Sequence, residues 1–181
     1  MGLHKGEDTE YYLKKGFKVV AFEADPNLVR YCEARFQAAI EKGDLIIVFG
    51  AIVPPEEVSR GSISFYQNQD NSVWGTVVPR WADRNKVLGT NSKVIEVPVV
   101  NFADCLKKYG VPYYMKIDIE GMDTVCLETL EQLEERPSYI SIESEKVDFR
   151  KLRRELDLLA SLGYDGFKAI NQADIERQQE P

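Results

Sequence analysis

Two short runs, KVVAFE (18–23) and DLIIVFGAIV (44–53), constrain the fold of this chain more than any other feature. Both are apolar and rich in β-branched residues, the pattern of strands buried on both faces. Between them, from about Pro26 to Lys42, the residues Leu28, Cys32, Phe36 and Ile40 recur every four positions and so share one face of a helix. Pro26 suits the first turn, where its missing N–H costs nothing. Strand, helix and strand at this spacing form a βαβ unit, which requires a parallel sheet with helices laid on it.

The same reading extends along the chain. DTEYYLKKG (8–16) predicts a short helix, with Asp8 or Thr9 as its cap and Gly16 as its end. GSISFYQ (61–67) and SKVIEVPVV (92–100) read as half-exposed antiparallel strands. The polar, turn-rich stretch between them predicts a long irregular loop, a feature often functional. It carries Trp74 and Trp81, expected either to cover a bound acceptor or to anchor the core. NFADCLKKYG (101–110) gives a helix stopped by Gly110, and PYYMKIDIEG (112–121) a strand with charges at its end. A helix over 122–135 turns Met122, Val125, Cys126, Leu130 and Leu133 inward. SYISIESE (138–145) is a strand. A helix over 149–163 carries a core stripe of Phe149, Leu152, Leu156, Leu159 and Leu162, and FKAIN (167–171) reads as a last strand.

A length of 181 residues with 44% hydrophobic side chains suits one domain over 1–181 with a single core. The 29% of charged residues are well mixed in sign, which argues against disorder. A net charge of −7, with KLRRE (151–155) the one basic run, excludes the usual face of a duplex nucleic-acid binder. Three cysteines without a CxxC give no disulfide framework and no zinc site, and no metal ligand set is read. No apolar run is long enough for a membrane span and no export leader opens the sequence. The expected location is cytoplasmic.

Ligands of open α/β sheets bind beyond the carboxyl ends of the strands, and three such ends are chemically unusual. In GLHKGEDT (2–9), Gly2 and Gly6 let backbone approach a ligand, although a lone GxxxG is also an ordinary turn. In AFEADP (21–26), Glu23 closes its strand 17 residues after Gly6, where an acid can accept both hydroxyl hydrogens of a ribose. In KIDIEG (116–121), Lys116, Asp118 and Glu120 crowd a buried-looking strand end, opposite Glu143 and Glu145 of the neighbouring strand. Burying an unpaired charge costs several kcal/mol, so these groups need partners or solvent. Such carboxylates can bind a cation, hold a cofactor amine or act as a general base. Lys116 is either the ion-pair partner of Glu143 or a catalytic group. His4, the single histidine, is either a base for an alcohol or a turn residue beside the ligand.

The stretches GLHKG (2–6), VVAFEADP (19–26) and KIDIEGMD (116–123), in this order and spacing, resemble the FkbM family of S-adenosylmethionine-dependent methyltransferases. The match runs over about residues 2 to 145 and is poorest over 54–100. The resemblance implies a class I methyltransferase fold: a Rossmann-like α/β sheet with helices on both faces and a β insertion around 60–100. It implies S-adenosylmethionine as cofactor. Gly2, His4 and Gly6 would flank its methionine part, with Thr9 of the following helix also in contact. Glu23 would hold the ribose hydroxyls, with Ala24 beside it. Gly50 and Ala51 would lie near the adenine, and Asp118 would face the reaction centre. His4 and Ala24 depart from the family pattern, where Asn and Pro are common.

The family's first, central strand should precede Gly2 and is missing. The sequence therefore predicts a gap between the strands at 18–23 and 112–118, and a chain cut short at its N-terminus and after FKAIN. The expected reaction is methylation of a hydroxyl on a small molecule, sugar or lipid, with Asp118 first among candidate bases, then Glu120 and His4. A nicotinamide-dependent oxidoreductase shares the glycine turn and Glu23, but lacks the third glycine of GxGxxG and leaves KIDIEG without a task. A non-catalytic remnant is the other alternative.

Overall fold

A computed structural model describes residues 1–119, 121–144 and 148–171. Helix α1 (Glu7–Lys14) is followed by strand β1 (Val19–Glu23), helices α2 (Pro26–Arg35) and α3 (Gln37–Lys42), and strand β2 (Leu45–Phe49). Strands β1 and β2 pair in parallel, from Val19 opposite Leu45 to Glu23 opposite Phe49. The βαβ unit therefore forms where the sequence places it. Asp25 caps α2, its side chain accepting from the Asn27 N–H at 2.7 Å, with Pro26 in the first turn. The helix predicted over 26–42 breaks at Phe36, whose backbone leaves helical geometry (φ −111°, ψ 21°). Its ring packs with Cys32, Ala21, Leu45 and Leu3 into a core beneath the sheet. Burial of each of the larger side chains, Phe36, Leu45 and Leu3, contributes roughly 1.5–3 kcal/mol.

The run 44–53, read as one strand, is two. At Gly50 the backbone turns to φ +138°, and a Cβ there would stand 2.6 Å from the Pro98 carbonyl oxygen. The chain thus leaves β1 and continues as β3 (Ala51–Ile52), which pairs in parallel with β5 (Ser92–Val100). Strand β4 (Ser62–Asn68) lies antiparallel on β5, as its alternating pattern predicts. Ala51, Val53, Phe65 and Val97 form the core of this second sheet.

The polar stretch between β4 and β5 is not an irregular loop throughout. It holds a 3-10 turn (Ser72–Trp74) and helix α4 (Pro79–Val87). The helix buries only Ala82 and Asn85, so it carries no apolar stripe to read. A polar network organises it instead. The Asn85 amide, 1% exposed, donates to the Trp74 carbonyl at 3.1 Å. Asn68 donates to the Thr90 hydroxyl at 2.7 Å. The Gln67 amide donates to Asp25 at 2.7 Å, fastening this sheet to the turn after β1.

Helix α5 (Phe102–Tyr109) leads to β6 (Tyr114–Ile117), helix α6 (Asp123–Glu131) and β7 (Tyr139–Ile142), with β6 and β7 parallel. Val125, Cys126 and Leu130 of α6 are buried as expected, together with Leu127. The three ladders, β1–β2, β3–β5–β4 and β6–β7, are separate sheets, and the whole is a mixed α/β structure. Strands β1 and β6 do not pair. A cavity of about 840 Å³ is lined by Val19, Ala21 and Phe22 of β1, Tyr114, Met115 and Lys116 of β6, and Phe102 and Leu106 of α5. At one end, the Leu3 N–H donates to Phe22 O at 3.0 Å and the Met1 ammonium to Lys116 O at 2.6 Å.

Residues 1–144 form one compact unit, and the described residues 148–171 belong to another. The second contains α7 (Phe149–Ser161), which Asp148 caps through the Arg150 N–H at 3.0 Å. Leu159 and Leu162 are buried, but Phe149 and Leu156 of the expected stripe are exposed, at 77% and 43%. Residues 167–171 form no strand.

Gly6 precedes α1 in the left-handed region (φ +82°), and a Cβ there would meet the Phe36 ring at 2.3 Å. Gly6→Ala is expected to lower stability by about 2–4 kcal/mol, from backbone strain plus overpacking, measured by urea unfolding.

Candidate active-site cleft

The turn over residues 1–6 is built on backbone in the left-handed region. Gly2 and Gly6 have positive φ, and so does His4, at +51°. A non-glycine residue there is uncommon and needs surrounding contacts to hold it. Its N–H donates to Glu23 Oε2 at 2.9 Å, and its carbonyl accepts from Cys32 Sγ at 3.2 Å. Arg35 donates to the Lys5 carbonyl and to Glu10 from below. A Cβ on Gly2 would stand 2.1 Å from Asp118 O, so glycine is what lets this turn press against the end of β6.

Here the ends of β1, β2 and β6 enclose a small cleft of about 130 Å³. Gly2, His4, Glu23, Ala24, Gly50, Ala51 and Asp118 all line it. Two other candidates do not. Gly6 packs on Phe36, and Thr9 is buried on α1 and lines the large cavity beside β1. Thr9 and Asp8 also lie inside α1, whose cap is Gly6 without a side-chain bond, because the helix starts earlier than its polar residues suggest. Glu120 lies outside the described residues.

Glu23 is the centre of the cleft's hydrogen bonding. Its Oε2 accepts from His4 N–H and its Oε1 from Asp25 N–H, each at 2.9 Å. Burial pushes its pKa up, the Asp25 and His4 N–H groups pull it back in part, and the net direction is upward. A carboxylate has about four lone-pair sites. Backbone N–H groups take part of that capacity and leave the rest for a ligand.

Asp118, at the end of β6, lies 3.2 Å from Lys116 Nζ, which also meets Asp8 at 2.6 Å. Lys116 is thus paired with Asp8 and Asp118, not with Glu143 as the sequence suggested. The register of β6 and β7 gives no hint of α1 as a neighbour, and α1 supplies the second acid. Burial alone would lower the Lys116 pKa, but the two carboxylates outweigh it and hold it above the ordinary lysine value.

The segment after the β4–β5 sheet's first strand forms the facing wall, through Ser72, Val73, Gly75, Thr76 and Val77. Ser72 Oγ lies 2.9 Å from His4 Nε2, across the cleft. The other ring nitrogen lies 3.5 Å from Glu7. Gly75 rests on the Phe65 ring, and Thr76 bridges back to Tyr66. Neither tryptophan lines the cleft. Trp74 offers its carbonyl to Asn85, while Trp81 stacks with the Arg84 guanidinium at 4.2 Å and packs against Gly121. The sequence marks the stretch that holds these residues as a loop of a kind often functional, but singles out only its tryptophans, because small and polar side chains signal a turn and the turn's destination is a tertiary matter.

No helix among the described residues is long and apolar enough to cross a membrane. Residues 1–165 match the family described as the methyltransferase FkbM domain. No curated protein and no solved structure matches.

Because folding raises the Glu23 pKa, the folded state holds its proton more tightly than the unfolded state. Stability is then expected to fall as pH rises from the ordinary value of 4.5 through the raised one. Glu23→Gln should flatten that fall. A slope remains, because burial also raises the Asp123 pKa. Urea unfolding across the acidic range measures both.

Proposed function

The chain belongs to the FkbM methyltransferase family, and from that footing we propose that it methylates a hydroxyl group of a small-molecule, sugar or lipid acceptor, using S-adenosylmethionine. The same reading takes the β1–β2 and β6–β7 ladders as parts of one Rossmann-like arrangement. One observation carries it: Glu23 stands at the carboxyl end of β1 on the cleft wall, with the glycine turn on one side and Gly50 and Ala51 on the other.

The donor set suits the cofactor. Glu23 keeps lone pairs for a ribose diol, Ala24, Gly50 and Ala51 leave room for a flat base, and Asp118 and the 1–6 turn offer polar groups to an amino-acid end. The cleft, about 130 Å³, is smaller than the roughly 300–1,000 Å³ of small-molecule sites. Entry therefore requires the 72–77 wall to move away from His4, and the Ser72–His4 hydrogen bond is the contact that yields. When bound, the cofactor supplies an electrophilic methyl on a sulfonium. The protein's part is to hold the acceptor oxygen in line with it, which is where much of the acceleration of such transfers arises. Transfer would exchange the methyl's bond to sulfur for one to the acceptor oxygen, leaving the donor as a neutral thioether, and the hydroxyl proton must leave. Asp118 is the carboxylate placed to take it, with Lys116 fixing its orientation. His4 is assigned to the turn and the wall contact.

Titration calorimetry with S-adenosylhomocysteine and, separately, with NAD tests the reading. Binding of the first alone is the expected result. Glu23→Ala should weaken it by at least about tenfold, the loss of a buried charged acceptor. NAD binding, or silence toward both, overturns the reading.

A further inference from the structure

Between the end of β6 and the start of α6 run five residues, 118–122, and they supply Asp118, Ile119 and Met122 to the cleft wall. The ladder with β7 ends just before them, where the Glu143 N–H donates to Ile117 O at 3.1 Å. The N–H groups of Ile119 and Gly121 then have no strand or helix to join. Left without partners away from water, each would destabilise the loop. Both are met by one side chain. Asp123 Oδ1 accepts from Ile119 N–H at 3.0 Å, and Oδ2 accepts from Gly121 N–H at 3.2 Å. Asp123 does not line the cleft; it opens α6, where a carboxylate is also favoured by the helix dipole.

We propose that Asp123 is a positioning residue: its two-pronged clamp on the 118–122 loop sets where Asp118 stands in the cleft. Two packing contacts complete the clamp. The Gly2 backbone presses on the Asp118 carbonyl, and the Trp81 ring lies against Gly121, whose φ of +97° the clamp maintains. Slackening the Asp123 bonds frees the loop to turn about Gly121, and Asp118 then moves relative to Lys116 and Glu23. Burial raises the Asp123 pKa, and the loop's N–H groups offset part of that rise. The effect of Asp123 on ligand binding rests on the methyl-donor reading above; its effect on Asp118 does not.

The test uses the full chain, isotopically labelled, as wild type and Asp123→Asn. Asparagine keeps one acceptor but turns an amide N–H toward the other donor. Hydrogen exchange at Ile119 and Gly121 should accelerate at least about tenfold. Exchange at Cys126 and Leu130, within α6, should stay as in wild type. The carboxyl carbon resonance of Asp118 should shift, and affinity for S-adenosylhomocysteine should fall about tenfold. Should asparagine prevent folding, Asp123→Ser, which retains one acceptor at the helix start, should show the same changes at smaller size. Faster exchange with an unmoved Asp118 resonance reduces Asp123 to a structural cap and overturns the proposal. Wild-type protein that ignores S-adenosylhomocysteine defeats the methyl-donor reading instead, while the Asp118 resonance still decides the clamp.

Discussion

The cleft depends on one carboxylate that is shared between two backbones. Glu23 takes an N–H from His4 with one oxygen and an N–H from Asp25 with the other. The first bond holds His4 in a left-handed conformation that its side chain would otherwise resist. The second tightens the turn into α2, whose cap is Asp25 itself. Asp25 in turn accepts from Gln67, so the sheet of β4 and β5 is tied to the same point. Two segments distant in sequence, the 1–6 turn and β4, converge with the start of α2 on the end of one short strand.

Charge in this region is arranged in acceptor-rich pairs that backbone donors and one lysine offset. Glu23 and Asp123 are both pushed upward in pKa by burial, and both answer it with N–H groups from neighbouring loops. Lys116 is the complementary case, a half-buried amine held charged between Asp8 and Asp118. The arrangement keeps Asp118 beside a cation at the cleft mouth. It also links α1 to β6 by an ion pair across the edge of the cavity that separates β6 from β1.

Much of this was legible in the sequence, and the reason is periodicity. Apolar runs gave β1, β2, β6 and β7, and the four-residue repeat gave α2. Alternation gave the β4–β5 pair. Where pattern was absent or misleading, the reading failed. Helix α4 carries no apolar stripe because Asn85 and its polar partners do the anchoring. The 44–53 run hid a change of partner at Gly50, since a residue's pattern does not say which neighbour its strand pairs with. Phe149 and Leu156 fit a heptad stripe yet stand exposed.

The sequence by itself determined the α/β character, the βαβ unit, and the acids and glycines at strand ends, because these follow from local periodicity and from what each side chain permits. It also brought Gly2, His4, Glu23 and Asp118 under suspicion together. Tertiary structure alone decided which of the candidates share a cleft, that Gly6 and Thr9 lie outside its lining, and that Lys116 answers to Asp8. It alone placed the 72–77 segment across the cleft from His4. Those outcomes are contacts between positions far apart in the chain, and they depend on strand partners and loop paths that no short window of residues encodes.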